Sequence, residues 1–198
     1  MKRLSALFGL WLWASAAPAA TPVHVVEIAN FSCPFCLAME PAGAEVRRAT
    51  EATGGRFVFA PLTLQEGASN WRDRLYYAAR NQGPKAEAAV RGALFRGAQD
   101  LNLPMENLDQ TLVFLAEELS SHGLDWERLR RDAIDPTTSE AYQRALWLAA
   151  SAGIDAVPAY IFIVDGEITT AVGRNPATND LSSLRREVLD KIKELSEK

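Results

Sequence analysis

The chain has 198 residues, 48% of them hydrophobic, with 21 Lys and Arg against 25 Asp and Glu and only two cysteines. That length suits one well-buried domain with room for an inserted sub-domain, and the composition excludes a disordered chain. A net charge of −4 argues against nucleic acid as a partner.

Lys2 and Arg3, the apolar run from Leu4 to Ala14, and Ala17-Pro18-Ala19 with small residues at the −3 and −1 positions have the form of a secretory signal peptide over residues 1–19. The run is short of the roughly 20 apolar residues that a membrane-spanning helix needs. Cleavage after Ala19 removes two of the 21 basic residues and leaves 19 against 25 acidic ones, a net −6. The expected location is the periplasm. Disulfides persist outside the cytosol, so an exported protein with two cysteines is better suited to handling the thiols of other proteins than to stapling itself.

Val23 to Ala29 is a nearly continuous apolar run with β-branched residues, the pattern of a buried strand, interrupted by Glu27. A helix is predicted from Pro34 to about Thr53, with Leu37, Ala44 and Ala49 among its apolar positions and a kink at Pro41; Gly54-Gly55 stops it, and Phe57 to Ala60 makes a second strand. Strand, helix and strand of these lengths predict a βαβ unit with parallel neighbouring strands.

From Gly67 to Ala152 the periodicity becomes helical. Trp71, Leu75 and Ala79 form one stripe, Gly83-Pro84 breaks it, and Ala86, Ala89, Val90, Ala93 and Leu94 continue; Leu108, Leu112, Leu115 and Leu119 form the next, ended by Gly123. Trp126 and Leu129 predict a short helix before Asp135-Pro136. Thr137 with Glu140 has the spacing of a capping box for a last inserted helix carrying Tyr142, Leu146 and Ala149. Strands return at residues 159–164 and 167–173 around Asp165-Gly166, a hairpin signal. Residues 179–198 close the chain as an amphipathic helix. The expected fold class is α/β, with residues 20–66 and 153–198 forming one domain and 67–152 a helical insertion.

The organising motif is Asn30-Phe31-Ser32-Cys33-Pro34-Phe35-Cys36 at the strand-to-helix junction. One helical turn brings both sulfurs together at a helix N-terminus, whose unpaired N–H groups and dipole favour a thiolate. Cys33 is therefore the expected nucleophile and Cys36, one turn in, the shielded resolving cysteine. Pro34 suits the first helical position. Because the Phe35 side chain has no polar donor, backbone groups are expected to be the chief stabiliser of the Cys33 thiolate. Structural zinc needs four ligands; the other candidates, His24 and His122, lie far apart with no second paired motif, so no metal is expected. No cofactor is expected either. A structural disulfide closing so short a loop would restrain little of the unfolded chain.

Val157-Pro158 stands between the helix stop at Gly153 and a buried strand, where proline must begin the strand or end a turn. Sequence alone favours a trans bond there, since about 5–6% of X–Pro bonds are cis. Glu27 precedes Cys33 by six residues, and Glu40 follows Cys36 by four on the same helix face. A carboxyl in a buried strand is costly unless paired or protonated, and its pKa rises. Proton exchange with Cys36 is one reading of these acids; a salt bridge, or an edge-exposed Glu27, is the other.

These residues resemble the DsbA family of exported thiol:disulfide oxidoreductases, over almost the whole chain after residue 19. The likeness lies in Cys-Pro-x-Cys after Phe-Ser, a helical insertion between the βαβ unit and the hairpin, Val157-Pro158-Ala159 where the family has its cis-proline, and acids at the Glu27 and Glu40 positions. Phe35 stands where the family commonly has His, and Cys-Pro-Phe-Cys resembles the DsbL branch. The resemblance implies a thioredoxin-like fold and a cis Val157–Pro158 bond whose backbone faces the dithiol. It further implies transfer of the Cys33–Cys36 disulfide to reduced exported proteins, and reoxidation by a DsbB-like, quinone-linked membrane protein. About a dozen residues separate Ala19 from Cys33, too few for the family's extra first strand, so a four-stranded sheet is expected. The rival readings are an isomerase or reductase running the chemistry in the other direction, and a peptide-binding module without catalysis.

Overall fold

The computed structural model describes residues 20–198 apart from residues 64, 66 and 67, so the expected signal peptide lies outside the described residues. β1 (Val23–Ala29) is buried along almost its whole length, as its β-branched run requires. α1 (Pro34–Ala52) follows it and continues through Pro41. β2 (Phe57–Pro61) returns parallel to β1, completing the βαβ unit. The link into β2 is tight enough that a Cβ on Gly55 would lie 1.8 Å from the Val23 carbonyl oxygen, a space only glycine can occupy.

Five helices come next: α2 (Trp71–Arg80), α3 (Pro84–Gln99), α4 (Leu108–Glu118), α5 (Trp126–Ile134) and α6 (Pro136–Ser151). Their predicted stripes supply the buried faces, with Leu75 and Ala79 on α2, Val90, Ala93 and Leu94 on α3, Leu112 and Leu115 on α4, Leu129 on α5 and Tyr142 and Ala149 on α6. α2 touches all four of the others and is the axis of this layer. The start of α6 differs from the predicted capping box. Asp135 is the N-cap, its Oδ1 accepting from the Thr137 N–H at 2.8 Å and the Thr137 hydroxyl at 2.6 Å, while Glu140 faces Arg144 instead. An Asp before a proline at the first helical position satisfies the exposed N–H groups directly and leaves Thr137 inside the helix.

β3 (Ala159–Val164) then pairs antiparallel with β1, and β4 (Glu167–Gly173) antiparallel with β3, giving the order β2-β1-β3-β4. Asp165 and Gly166, both at positive φ (53° and 83°), make the turn that the Asp-Gly pair predicts. α7 (Leu181–Ser196), capped by Asp180, buries Leu184, Val188, Ile192 and Leu195 and packs against α1 and the sheet. The result is the expected α/β architecture: a βαβ unit, an inserted helical layer, then a hairpin and a closing helix.

Candidate active site

β1 ends at Ala29, and a short turn delivers the chain to α1. The turn is fixed from several sides. Asn30 donates its side-chain N–H to the Leu62 carbonyl at 2.7 Å and accepts from the Ser32 N–H at 2.8 Å. Phe31 is buried, its ring 5.0 Å from Phe95 and 6.1 Å from Phe59. Gln99, at the end of α3, donates to the carbonyls of Phe31 (2.9 Å) and Cys33 (3.0 Å), and Arg72 of α2 donates to the Ser32 hydroxyl at 2.6 Å.

This turn sets Cys33 at the N-cap of α1, with Pro34 at the first helical position as its fixed φ favours. Both cysteines are free thiols; Cys33 is half-buried, whereas Cys36 is 1% exposed. The Cys33 thiol donates to the Val157 carbonyl at 3.5 Å, and the Asn30 N–H donates to the Cys36 sulfur at 3.4 Å. Val157–Pro158 is cis, and both residues are buried.

The Cys33 thiol is drawn down to about 6, first by a hydrogen bond from the Cys36 thiol, then, against the effect of burial, by the N–H groups of Cys36 and Phe35 and the charge of Arg174. The expectation that backbone is the chief stabiliser is therefore corrected. The neighbouring thiol leads because it lies one turn away and keeps its proton. Its hydrogen bond to Cys33 and its burial push the Cys36 thiol far up, and the charges of Cys33 and Glu27 add to this.

Arg174, just past β4, also changes the reading of Phe35. Its guanidinium stands 4.3 Å from the Phe35 ring centroid, its Nε donates to the Val157 carbonyl at 3.1 Å and its backbone N–H donates to the Pro158 carbonyl at 3.0 Å. The Phe35 side chain carries no charge, yet a cation faces it.

Glu27 is 2% exposed, in the middle of the sheet. Burial and then the charge of Glu40 push its carboxyl up to about 8, against a hydrogen bond from Tyr160 and the charges of Arg91 and Arg47. Glu40 instead pairs with Arg91 of α3 at 3.1 Å, while burial raises its pKa. The structure thus brings Cys33, Cys36, Pro34, Phe35, Val157, Pro158 and Glu27 to one place and ties Glu40 into a salt bridge beside them. Sequence reasoning missed Tyr160, Arg91, Arg174, Gln99 and Arg72. Only Tyr160 carried a signal, being the one side chain with an O–H in an apolar buried strand and therefore in need of an acceptor. Among the described residues, no three His, Cys, Asp or Glu side chains are grouped to hold a metal ion, and no helix is long and apolar enough to cross a membrane.

A family model described as Thioredoxin matches residues 17–182. No curated protein matches the chain. Of the solved structures similar to it, Pseudomonas aeruginosa DsbA superposes with a TM-score of 0.68 at 19% identity, over 92% of this chain and 89% of that one. Proteus mirabilis DsbA with a non-covalently bound peptide gives 0.64 at 18% identity, over 92% of each chain. A reduced DsbL gives 0.61 at 16% identity, over 91% of this chain and 93% of that one. At these identities the likeness is one of fold.

Proposed function

The chain belongs to the thioredoxin family, in the form of the fold that the DsbA structures share, and we propose that it is an exported thiol:disulfide oxidoreductase that introduces disulfides into other exported proteins. The observation that carries this reading is a pair of unlike sulfurs one helical turn apart: an acidified, half-buried Cys33 above a buried Cys36 that holds its proton.

The oxidised Cys33–Cys36 pair is the reagent. A substrate thiolate attacks the accessible Cys33 sulfur, forming a new S–S bond as the Cys33–Cys36 bond breaks. The electron pair leaves on Cys36, which takes up a proton, and in this reading buried Glu27 supplies it. A second thiolate of the substrate then attacks the substrate's own sulfur in the mixed disulfide, and Cys33 departs as a thiolate. Its low pKa makes it a good leaving group in that step. The backbone of Val157, facing Cys33, is the edge on which an extended substrate segment would lie. The peptide bound non-covalently to the Proteus mirabilis relative supports binding of a peptide substrate by this chain.

The signal-like start at residues 1–19 supports export to the periplasm, and the family resemblance supports reoxidation by a DsbB-like, quinone-linked membrane protein. The direction of electron flow is tested by trapping the thiols of the producing cells with acid and alkylating them. Mostly disulfide at Cys33 and Cys36 is the expected result; mostly dithiol would overturn the oxidase reading in favour of a reductase or isomerase. Retained function after replacing both cysteines with serine would point to a binding module.

A further inference from the structure

Glu27 and Tyr160 are directly opposite each other in the antiparallel β1–β3 register, and Phe59 is beside Glu27 in the parallel β1–β2 register. Directly paired residues project from the same face of a sheet. The register itself therefore sets the phenol against the carboxyl, with both side chains buried and the Tyr160 O–H donating to Glu27 Oε1 at 3.1 Å.

The other charged and titratable groups around Glu27 come from two helices. α1 supplies Cys36, Glu40 and Arg47, and α3 supplies Arg91. Both arginines are engaged elsewhere. Arg91 pairs with Glu40 and stands 5.1 Å from the Phe59 ring centroid, and Arg47 stands 4.9 Å from that of Phe57. Among the described residues, Tyr160 is the one side chain hydrogen-bonded to Glu27.

We propose that Tyr160 is a positioning residue for the resolving half of the reaction: its O–H, fixed opposite Glu27 by the strand register, holds Oε1 so that the other carboxyl oxygen serves the Cys36 sulfur. This rests on the reading of Glu27 as the proton partner of Cys36. In the oxidising direction the Cys33–Cys36 bond breaks as the substrate–Cys33 bond forms, the electron pair goes to Cys36, and the Glu27 proton follows it. The carboxylate left behind is stabilised by the Tyr160 O–H until it regains a proton from water. In the reverse direction the carboxylate takes the Cys36 proton before the thiolate attacks. A donor aimed at the carboxylate opposes the effect of burial. It keeps Glu27 near the working pH, where one group can both give and take a proton.

The test compares wild type, Tyr160→Phe and Glu27→Gln in the full chain, with Tyr160→Met in reserve should the phenylalanine variant not fold. Two quantities are measured: the Glu27 titration, by carbon-13 NMR of labelled glutamate in the reduced protein, and the pH profile for reaction of the oxidised protein with reduced glutathione. Loss of the phenol O–H is expected to raise the Glu27 titration by about one pH unit, the size of a hydrogen bond to a charged group. The rate profile of Tyr160→Phe should move up with it, while Glu27→Gln should remove that limb of the profile. An unchanged or lowered Glu27 titration overturns the proposal. So does a raised titration with an unmoved rate profile, and there Glu27→Gln separates two failures. If it too leaves the profile unmoved, Glu27 is not the proton partner; if it alone removes the limb, only the role of Tyr160 fails.

Discussion

The acidity of Cys33 is assembled from unequal parts, and their order is open to measurement. The Cys36 thiol comes first, the N–H groups at the start of α1 follow, and Arg174 comes last. Arg174→Met should therefore raise the Cys33 titration, and Cys36→Ala should raise it further. Thiolate absorbance against pH reads both; a larger effect of Arg174→Met would show that the order is wrong. Folding lowers the Cys33 pKa from an ordinary 9.0 to about 6, which fixes the sign of its effect on the reduced protein. The stabilisation from this source is complete above about pH 9 and disappears as pH falls through about 6. Phe35 shows why a motif alone misjudges such a site. The tetrapeptide specifies Phe35, whereas the cation over its ring comes from beyond β4, where nothing in the local sequence marks it.

The elements around the dithiol were legible wherever one strong local pattern decided them. β1 and β3 begin and end at the predicted residues, Asp165-Gly166 turns where a two-residue hairpin should, and the inserted helices follow their apolar stripes. What escaped depends on contacts between elements distant in sequence. The α6 cap was misread because Asp135 and Thr137 both suit an N-cap, and only the proline between them decides. Gln99 is a surface-type residue at the end of a helix, yet it joins α3 to the turn before α1 through two carbonyls. Each such bond contributes about 0.5–1.5 kcal/mol net, so Gln99→Ala should destabilise the protein by about 1–3 kcal/mol in urea. It should also speed amide exchange in the turn at residues 30–33. An unchanged unfolding midpoint would mean that the helical layer does not brace the turn through this side chain.

Across the whole molecule, the dithiol sits at the seam between two layers. The inserted helices hold the turn through Phe31, Gln99 and Arg72, while the loop before β3 supplies Val157 and Pro158, β1 and β3 supply Glu27 and Tyr160, and Arg174 leans across from the end of β4. One sulfur is open to a partner and the other is closed off, and the proposed chemistry depends on that asymmetry. The most direct test mixes the oxidised protein with a reduced peptide containing two cysteines, quenches with acid at short times and maps the mixed disulfide by mass spectrometry. The account predicts a transient adduct on Cys33 alone, followed by oxidised peptide and the Cys33–Cys36 dithiol in equal amounts. An adduct on Cys36, or no transfer of the disulfide to the peptide, would contradict it.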